Sequence, residues 1–472
     1  MKKIARLLFL AFITINITSC FNDDFDDNDV STSSINDFVY RAMDIFYLYR
    51  DEVPALVEDK RNSANYTEYL NSFSTPETLF ESLIFDRQNV DRFSFILSDY
   101  IAFEQQQQGV SVANGMEYGL LRYTEGSDDI FGYVRYVLPN TSAEDAGVQR
   151  GDLFYGIDGT PLTVNNFRSL LSQDNYTINL ANYNDNGTPE TDDDTIEQTT
   201  ESIALSKAPY TENPVFKTEI LQVEGENVGY LMYNGFTGSF DQALNNAFAT
   251  FQANAIQHLV IDLRYNPGGS VNSATLMGSM VTGQFNGQTF TKLIYNDLLQ
   301  ANNTGFNFTN SFDGGTINNL NLDKVYVLAT SASASASELV INSLSSYIDV
   351  VHIGTETVGK SQASITLYDS EDYTRNGVNP IHTYALQPLV AISVNVNEDV
   401  VPANGLTPDI TIGEQVNNLG VLGDENEPLL AEALANIAAT NRPANTTPGK
   451  IIKPIFDSND LKPHAKDMYI ER

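Results

Sequence analysis

A strand that runs directly into a helix is predicted by residues 327–340, which read VLATSASASASELV. The apolar start is typical of a buried strand, and Leu339, Leu344 and Ile348 recur at helical spacing. A serine at such a junction lies over the free N–H groups of the first helical turn, which stabilise a developing oxyanion. Composition alone leaves four candidate serines: Ser331, Ser333, Ser335 and Ser337.

The segments around this junction alternate between predicted strands and helices. Predicted strands cover residues 227–233, 258–264 and 324–328, and an amphipathic helix covers residues 240–253. Such alternation is typical of an α/β fold. We therefore predict an α/β core over residues 209–440, followed by a C-terminal tail over residues 441–472 that is rich in Pro, Asn and Thr.

A general base for the serine is predicted about one strand further along the chain. The chain has four histidines, and none lies in a motif typical of a Ser-His-Asp triad. Residues 350–361 read VVHIGTETVGKS and place Lys360 just after a glycine-containing turn. A lysine held in an apolar pocket loses its proton near neutral pH, because desolvation lowers its pKa. A Ser–Lys dyad is therefore chemically sensible.

Two regions are predicted upstream of the core. Residues 35–105 carry apolar side chains at helix-like spacing, which predicts a helical N-terminal domain. Residues 106–208 alternate apolar and polar side chains between turn signals, as short strands do. An oxygen-rich loop at residues 182–194 faintly resembles a calcium loop, but Asn replaces Asp at its early positions and no helix flanks it. A polar hairpin tip is the favoured interpretation of that loop.

The stretch TSAEDAGVQRGDLFYGIDG, residues 141–159, resembles the PDZ domains of bacterial proteases. The resemblance implies a peptide-binding edge strand at Gly119, Leu120 and Leu121, which would capture a peptide C-terminus by strand addition. It also implies a helix over residues 166–171 that lines the groove. A turn-rich β domain without a ligand is the alternative.

The first twenty residues are predicted to be a targeting segment. A basic start and a short apolar stretch lead to ITSC at residues 17–20, which resembles a bacterial lipobox with Cys20 as the lipidated residue. An ordinary cleaved signal with an incidental cysteine is the alternative. The acidic residues 21–34 predict a solvated tether and resemble the export signal of surface lipoproteins in Bacteroidetes. We thus expect secretion across the inner membrane, a lipid anchor in the outer membrane and possible exposure at the cell surface.

The charge of the chain restricts its partners. Its net charge is −35 over 472 residues, although only 18% of the residues are charged. Such an acidic protein is repelled by nucleic acid and by a wide anionic lipid surface. We predict no nucleic-acid partner and contact with the membrane through the N-terminal lipid only.

Several motifs occur together in the order found in the C-terminal processing peptidases, also called tail-specific proteases. They are the PDZ-like region, DLRYNPGG at 262–269, the serine run, GTETVGK at 354–360 and NGLTPD at 404–409. The chain resembles this family over residues 35–415. The resemblance implies a crotonase-like (β-β-α) protease core, polypeptide substrates, cleavage through an acyl-enzyme, and no metal or organic cofactor.

The resemblance also implies the catalytic pair. In this family the nucleophile is the first serine of Ser-Ala-Ser-Glu, which is Ser335 here, and the base is Lys360, 25 positions later. The backbone amide of Gly268 or Gly269 would form the oxyanion hole together with the amide of Ala336.

Asp262 and Arg264 would brace the glycine loop. Many members of the family have a glutamine four residues after the lysine to orient it. Ser364 occupies that position here, and Gln362 lies two residues after Lys360, so either is a candidate for orienting the base. This departure keeps open an alternative function, a catalytically weak or inactive peptide-binding surface lipoprotein on the same scaffold.

Overall fold

The computed structural model describes residues 32–58, 60–188, 193–438, 454–462 and 465–471. The predicted signal peptide over 1–20, Cys20 and most of the acidic tether lie outside the described residues, as does part of the loop at 182–194. In the described part of the chain, no helix combines the length and apolarity that a membrane crossing needs.

The N-terminal region is mainly helical. Its elements are α1 (Thr32–Phe46), α2 (Pro54–Val57), α3 (Tyr66–Asn71), α4 (Pro76–Ser82), β1 (Phe95–Leu97) and α5 (Tyr100–Gln107). Helix α4 begins after Thr75, whose hydroxyl accepts a hydrogen bond from the backbone N–H of Thr78. The buried side chains of Phe38, Met43 and Phe80 belong to the same apolar cluster as the α/β core. These helices are therefore packed directly onto the core.

The second region is a β domain with two short helices. Its elements are β2 (Val110–Ala113), β3 (Met116–Arg122), β4 (Ile130–Val137), α6 (Ser142–Asp145), β5 (Leu153–Ile157), β6 (Thr160–Pro161), α7 (Phe167–Leu171), β7 (Asn175–Asn184), β8 (Thr195–Ser206) and β9 (Ala208–Thr211). The main sheet runs in the order β3-β4-β5-β7-β8, with β6 paired to β5. This domain has an apolar core of its own, which includes Leu120, Phe154 and Phe167.

The third region is the α/β core. Its elements are β10 (Val215–Val223), β11 (Glu226–Tyr233), α8 (Asp241–Ala253), β12 (His258–Asp262), β13 (Gly269–Ser270), α9 (Val271–Thr282), β14 (Thr289–Tyr295), β15 (Thr304–Asn307), β16 (Ser311–Phe312), β17 (Gly315–Thr316), β18 (Lys324–Ala329), α10 (Ala336–Leu344), β19 (Asp349–Gly354), β20 (Gln362–Ser364), β21 (Leu367–Tyr368), β22 (Ala385–Gln387), β23 (Leu389–Val394), β24 (Ile410–Thr411) and α11 (Pro428–Ile437). Short 3-10 helices lie at Arg50–Glu52, Lys60–Asn62, Gly238–Phe240, Asp297–Asn302 and Ser458–Leu461.

Two six-stranded sheets form most of this core, while β21 and β22 form a smaller sheet with β1, and β16 pairs with β17. The first has the order β10-β11-β12-β18-β19-β24 and is parallel from β11 onwards. Its buried strands are near-continuous apolar runs such as residues 258–263, as expected for a sheet covered on both faces. The serine run therefore begins at the carboxyl end of a central parallel strand, β18. The α/β fold expected from the sequence is present.

The C-terminal residues join both domains. Strand β25 (Phe456–Asp457) pairs with β3 of the β domain, and β26 (Met468–Tyr469) pairs with β13 and β20 of the core. The second core sheet thus has the order β13-β26-β20-β23-β14-β15. The composition of residues 441–472 predicts an extended tail. Instead, the described residues Phe456–Asp457 and Met468–Tyr469 are strands of two sheets.

Candidate active site

Ser335 lies between the end of β18 and the first turn of α10. It is the N-cap of that helix, with φ of 57° and ψ of −113°, and it is fully buried. A positive φ is unfavourable for a residue with a side chain, and such conformations cluster at functional sites. The turn thus holds the Ser335 hydroxyl in a fixed direction at the helix N-terminus.

The other serines of the run have different surroundings. The hydroxyls of Ser333 and Ser337 donate to the backbone carbonyls of Leu263 and Asn266, at 2.7 and 3.0 Å. These bonds tie the serine run to the loop that follows β12. Ser331 is exposed.

Lys360 lies between β19 and β20 with its side chain buried. Only 1% of the residue is exposed, and Nζ lies 4.9 Å from the centre of the Phe93 ring. Burial lowers the pKa of Lys360 below its ordinary value, and the nearby Asp467 carboxylate opposes part of that shift. The side chain is therefore in an environment that favours the neutral amine.

One peptide carbonyl oxygen joins the serine and the lysine. Ser335 Oγ donates to the backbone oxygen of Lys466 at 2.8 Å, and Lys360 Nζ donates to the same oxygen at 2.9 Å. Both side chains can therefore reach one peptide group. A potential nucleophile and a potential general base therefore meet at one point of the cleft.

Glu338 links the two loops that carry this pair. Its buried carboxylate accepts hydrogen bonds from the backbone N–H groups of Ser335 at 2.8 Å, Gly359 at 2.7 Å and Lys360 at 3.0 Å. Burial raises the pKa of Glu338, and these hydrogen bonds counteract the shift. Glu338 is a positioning residue because it touches both loops but not the bound carbonyl group.

Two of the predicted oxyanion-hole residues, Gly268 and Ala336, adjoin the nucleophile. Gly268 packs so closely that a Cβ atom on it would lie 2.6 Å from Cβ of Ser335, and its φ of +121° also favours glycine. Its N–H donates to the side-chain oxygen of Asn266 at 2.9 Å. Gly269 pairs with Met468 in the neighbouring strand, and Ala336 is the first residue of α10. Their role as oxyanion donors stays a prediction.

A buried ionic network braces the loop after β12. Arg264 is fully buried, and its guanidinium donates to the carboxylates of Asp262 at 2.9 Å, Glu427 at 2.6 Å and Glu414 at 3.2 Å. Each of these three buried carboxylates thus has the Arg264 cation beside it. The bracing role expected of Asp262 and Arg264 agrees with these contacts.

The two candidates for orienting the base differ in their contacts. The Gln362 amide donates to the Tyr49 hydroxyl at 3.1 Å. The Ser364 hydroxyl hydrogen-bonds to the carboxylate of Asp467, and the same carboxylate contacts Lys360 Nζ at 3.1 Å. Ser364 therefore reaches the base only through Asp467.

The predicted peptide-binding strand is occupied. Gly119 and Leu120 of β3 pair antiparallel with Asp457 and Phe456, while Leu121 pairs with β4 on its other side. The Phe456 ring lies 4.7 Å from the Phe167 ring of α7. The groove between β3 and α7 thus holds an added strand.

The sequence matches two family models. They are the Peptidase S41 N-terminal domain, over residues 34–95, and Peptidase family S41, over residues 227–412, which includes both Ser335 and Lys360. The chain belongs to peptidase family S41.

Relatives of this S41 family member include carboxyl-terminal-processing proteases. One from Picosynechococcus sp. is 26% identical over 228 residues, covering 47% of this chain and 49% of the relative. A probable CtpA-like serine protease from Staphylococcus epidermidis is 26% identical over 192 residues, covering 38% of this chain and 36% of the relative. The chain thus matches no more than half the length of these two relatives.

A solved structure is similar over most of the S41 chain. The crystal structure of a putative S41 protease from Bacteroides fragilis matches with a TM-score of 0.68 and 26% identity. It covers 85% of this chain and 97% of the other. The mixed α/β multidomain fold is that of the family.

Sequence reasoning missed three residues at the site of this S41 protein. Glu338 follows the nucleophile by three positions, and an acidic residue at that point of a first helical turn could have been recognised as a cap. Gln387 donates to Asp467 at 2.7 Å. Gln387 and Asp467 carry no local signal, because only the packing of distant strands brings them to Lys360.

Proposed function

We propose that this S41 family member is a serine endopeptidase with Ser335 as nucleophile and Lys360 as general base. The observation that carries the proposal is that Ser335 Oγ and Lys360 Nζ both lie within hydrogen-bond distance of one peptide carbonyl oxygen. The burial of Lys360, which lowers its pKa, supports its role as a proton acceptor.

The proposed reaction has two steps. Ser335 Oγ forms a bond to the scissile carbonyl carbon while Lys360 Nζ accepts the hydroxyl proton, and the C–N bond then breaks as Lys360 returns that proton to the leaving amine. Water next attacks the ester with Lys360 again as the base, which releases the new carboxyl terminus and restores Ser335. Backbone amides near Gly268, Gly269 and Ala336 would stabilise the negative oxygen in both steps.

The proposed substrates are polypeptides held through a C-terminal segment. Strand β3 can pair with an extended chain, and α7 supplies the apolar wall of Phe167 and Leu171 beside it. Strand addition of this kind binds the main chain of any peptide sequence. The pockets for side chains then determine which sequences are preferred. The groove therefore suits recognition of unstructured chain ends.

Hydrolysis of an unfolded polypeptide by the purified full chain tests the catalytic pair. We expect Ser335→Ala to abolish hydrolysis and to abolish labelling by a fluorophosphonate probe, with the wild-type label mapping to the peptide that contains Ser335. Ser331→Ala is the matched control, since that serine is exposed in the same run. Retained hydrolysis in Ser335→Ala would refute the assignment. Peptide binding without labelling or hydrolysis in the wild type would favour the binding-protein alternative.

We further propose that the chain is exported and lipid-anchored through Cys20, with the acidic residues after it directing it towards the cell surface. Metabolic labelling with an alkyne fatty acid should mark the wild-type chain and not Cys20→Ser. Protease treatment of intact cells should remove the protein if it is exposed at the surface.

A further inference from the structure

The C-terminal segment, whose described residues are 456–462 and 465–471, contacts both proposed substrate sites at once. Its strand β25 pairs with β3 at the edge of the β domain. Its strand β26 lies between β13 and β20, the strands that flank the catalytic pair. Both pairings are main-chain contacts of the kind that strand addition uses.

The contacts at the β-domain end are complementary in shape and charge. Phe456 is 5% exposed and packs on Phe167 of α7. The Asp457 carboxylate lies 3.3 Å from the Arg135 guanidinium, and Lys462 Nζ lies 3.0 Å from the Glu117 carboxylate. Asp457 and Lys462 of the segment thus each lie beside an opposite charge of the β domain.

The contacts at the catalytic end engage the proposed base directly. Lys360 Nζ contacts the Asp467 carboxylate at 3.1 Å, and Gln387 donates to the other oxygen of that carboxylate at 2.7 Å. Met468 is fully buried in the main apolar core. The segment therefore places a charged side chain against the proposed base and an apolar side chain in the main core.

The bound geometry is unsuited to cleavage of the segment. The carbonyl oxygen of Lys466 accepts hydrogen bonds from Ser335 and Lys360, whereas in a reactive complex that oxygen would face the oxyanion-hole amides. The Ser335 proton is donated to this oxygen and not to the base. The negative charge of Asp467 also favours the protonated form of Lys360, which opposes the effect of burial.

We propose that the C-terminal segment is an intramolecular inhibitor that occupies the peptide groove and the catalytic cleft together, so that a polypeptide must displace it before cleavage. The inhibitory effect of the C-terminal segment rests on the proposed function, whereas the binding of the segment to the groove and the cleft does not. A tethered peptide has an effective concentration of about 1 mM, so a segment with a Kd of about 100 μM would occupy roughly nine-tenths of the molecules. Displacement of the segment would then raise kcat/KM about tenfold.

The first test uses full-length variants in which the segment is weakened. Phe456→Asp places a charge in the apolar groove, and Asp467→Ala removes the partner of Lys360. We expect each to raise kcat/KM and the rate of fluorophosphonate labelling about tenfold. Leu298→Asp is the control, because Leu298 is 57% exposed and distant in sequence from both sites. Unchanged labelling and kcat/KM in both segment variants, with an active wild type, would overturn the inference and leave the proposed function intact.

The second test measures binding without activity. A fluorescent peptide of residues 454–472 is titrated against the full chain carrying Phe456→Asp and Ser335→Ala, and its anisotropy is compared with that of a scrambled peptide. Saturable binding of the native peptide, without binding of the scrambled peptide, supports the inference. It does so even if no variant hydrolyses a substrate, because a lack of hydrolysis would refute only the proposed function. Absence of binding overturns the inference. Loss of residues 467–472 from the wild type but not from Ser335→Ala, seen by intact mass, would also overturn it, because the segment would then be a substrate.

Discussion

The backbone N–H groups of Ser335 and Lys360 donate hydrogen bonds to the same carboxylate oxygen, Oε2 of Glu338, at 2.8 and 3.0 Å. The nucleophile and the base come from loops 25 residues apart in sequence. Because one oxygen accepts from both main chains, the separation of the two loops depends on a side chain that does not contact the bound peptide carbonyl. Glu338 therefore controls the geometry of the pair.

Glu338→Gln is expected to lower kcat far more than it changes KM. The amide group of glutamine would turn one acceptor into a donor that faces backbone N–H groups, and the loops would move apart. A misplacement of about 1 Å can reduce the rate by about 100-fold. We also expect a loss of about 1–3 kcal/mol in the free energy of unfolding, because a buried donor is left unsatisfied.

The matched control for Glu338→Gln is Glu356→Gln, which is exposed on the loop that leads to Lys360. Steady-state kinetics and urea denaturation of both variants are the measurements. A fall in the stability of Glu338→Gln without any change in its kcat would show that Glu338 has only a structural role.

Gly268→Ala is expected to abolish most activity. The new Cβ would lie 2.6 Å from Cβ of Ser335, and the residue would keep a φ of +121° that disfavours a side chain. Gly287→Ala is the control, because it has a φ of +83° but open space around the new Cβ. We expect at least about a 100-fold loss of kcat/KM for Gly268→Ala, comparable to loss of an oxyanion donor. Similar activity in the two variants would argue against a close approach at the nucleophile.

Much of the fold could be predicted from local patterns. The apolar run before the serines predicts a strand, and β18 indeed covers Lys324–Ala329 with α10 beginning at Ala336. The amphipathic pattern of residues 240–253 predicts the helix that the structure has at Asp241–Ala253. These elements bury side chains at a regular period, so their sequence contains the signal.

The rest of the site depends on contacts that no local pattern encodes. The two-residue strands β25 and β26 are too short to show alternation, and they form only because β3, β13 and β20 offer unpaired edges. The abundance of Pro, Asn and Thr after residue 440 instead predicts an extended tail. Asp467 reaches Lys360 across 107 positions of sequence, a separation at which spacing gives no guidance.

Lys360→Arg is expected to eliminate hydrolysis while it keeps the positive charge. A guanidinium does not lose its proton at accessible pH, so it cannot accept the hydroxyl proton of Ser335. General-base catalysis contributes roughly 100- to 10,000-fold, and we expect a fall of that size in kcat/KM. Lys324→Arg is the control, because its side chain is 39% exposed on β18. Activity near that of the wild type in Lys360→Arg would exclude this lysine as the base.

The dependence of kcat/KM on pH should report the Lys360 amine. Burial lowers the pKa of Lys360, so the neutral base appears at a pH below the ordinary lysine value of about 10.4, and the rate should rise as pH increases through that lowered pKa. The Asp467 carboxylate opposes this shift, and Asp467→Asn should therefore move the rise to still lower pH. Rates measured from pH 6 to 10 on both proteins provide the test. A pH profile that is the same in Asp467→Asn as in the wild type would contradict the contact between Asp467 and Lys360.

The buried network around Arg264 should make the fold sensitive to acid. Burial by itself would raise the pKa of Glu414, but Arg150 and Arg264, with a hydrogen bond from Tyr265, lower it to about 2. A carboxyl group with a lowered folded-state pKa stabilises the protein above its unfolded pKa of about 4.3, and that contribution is lost as pH falls towards 2. The shift corresponds to roughly 3 kcal/mol. Urea denaturation at pH 6 and pH 3 should show a smaller loss of stability for Glu414→Gln than for the wild type, together with lower stability of the variant at pH 6. The same loss in both proteins would mean that Glu414 does not carry the acid sensitivity.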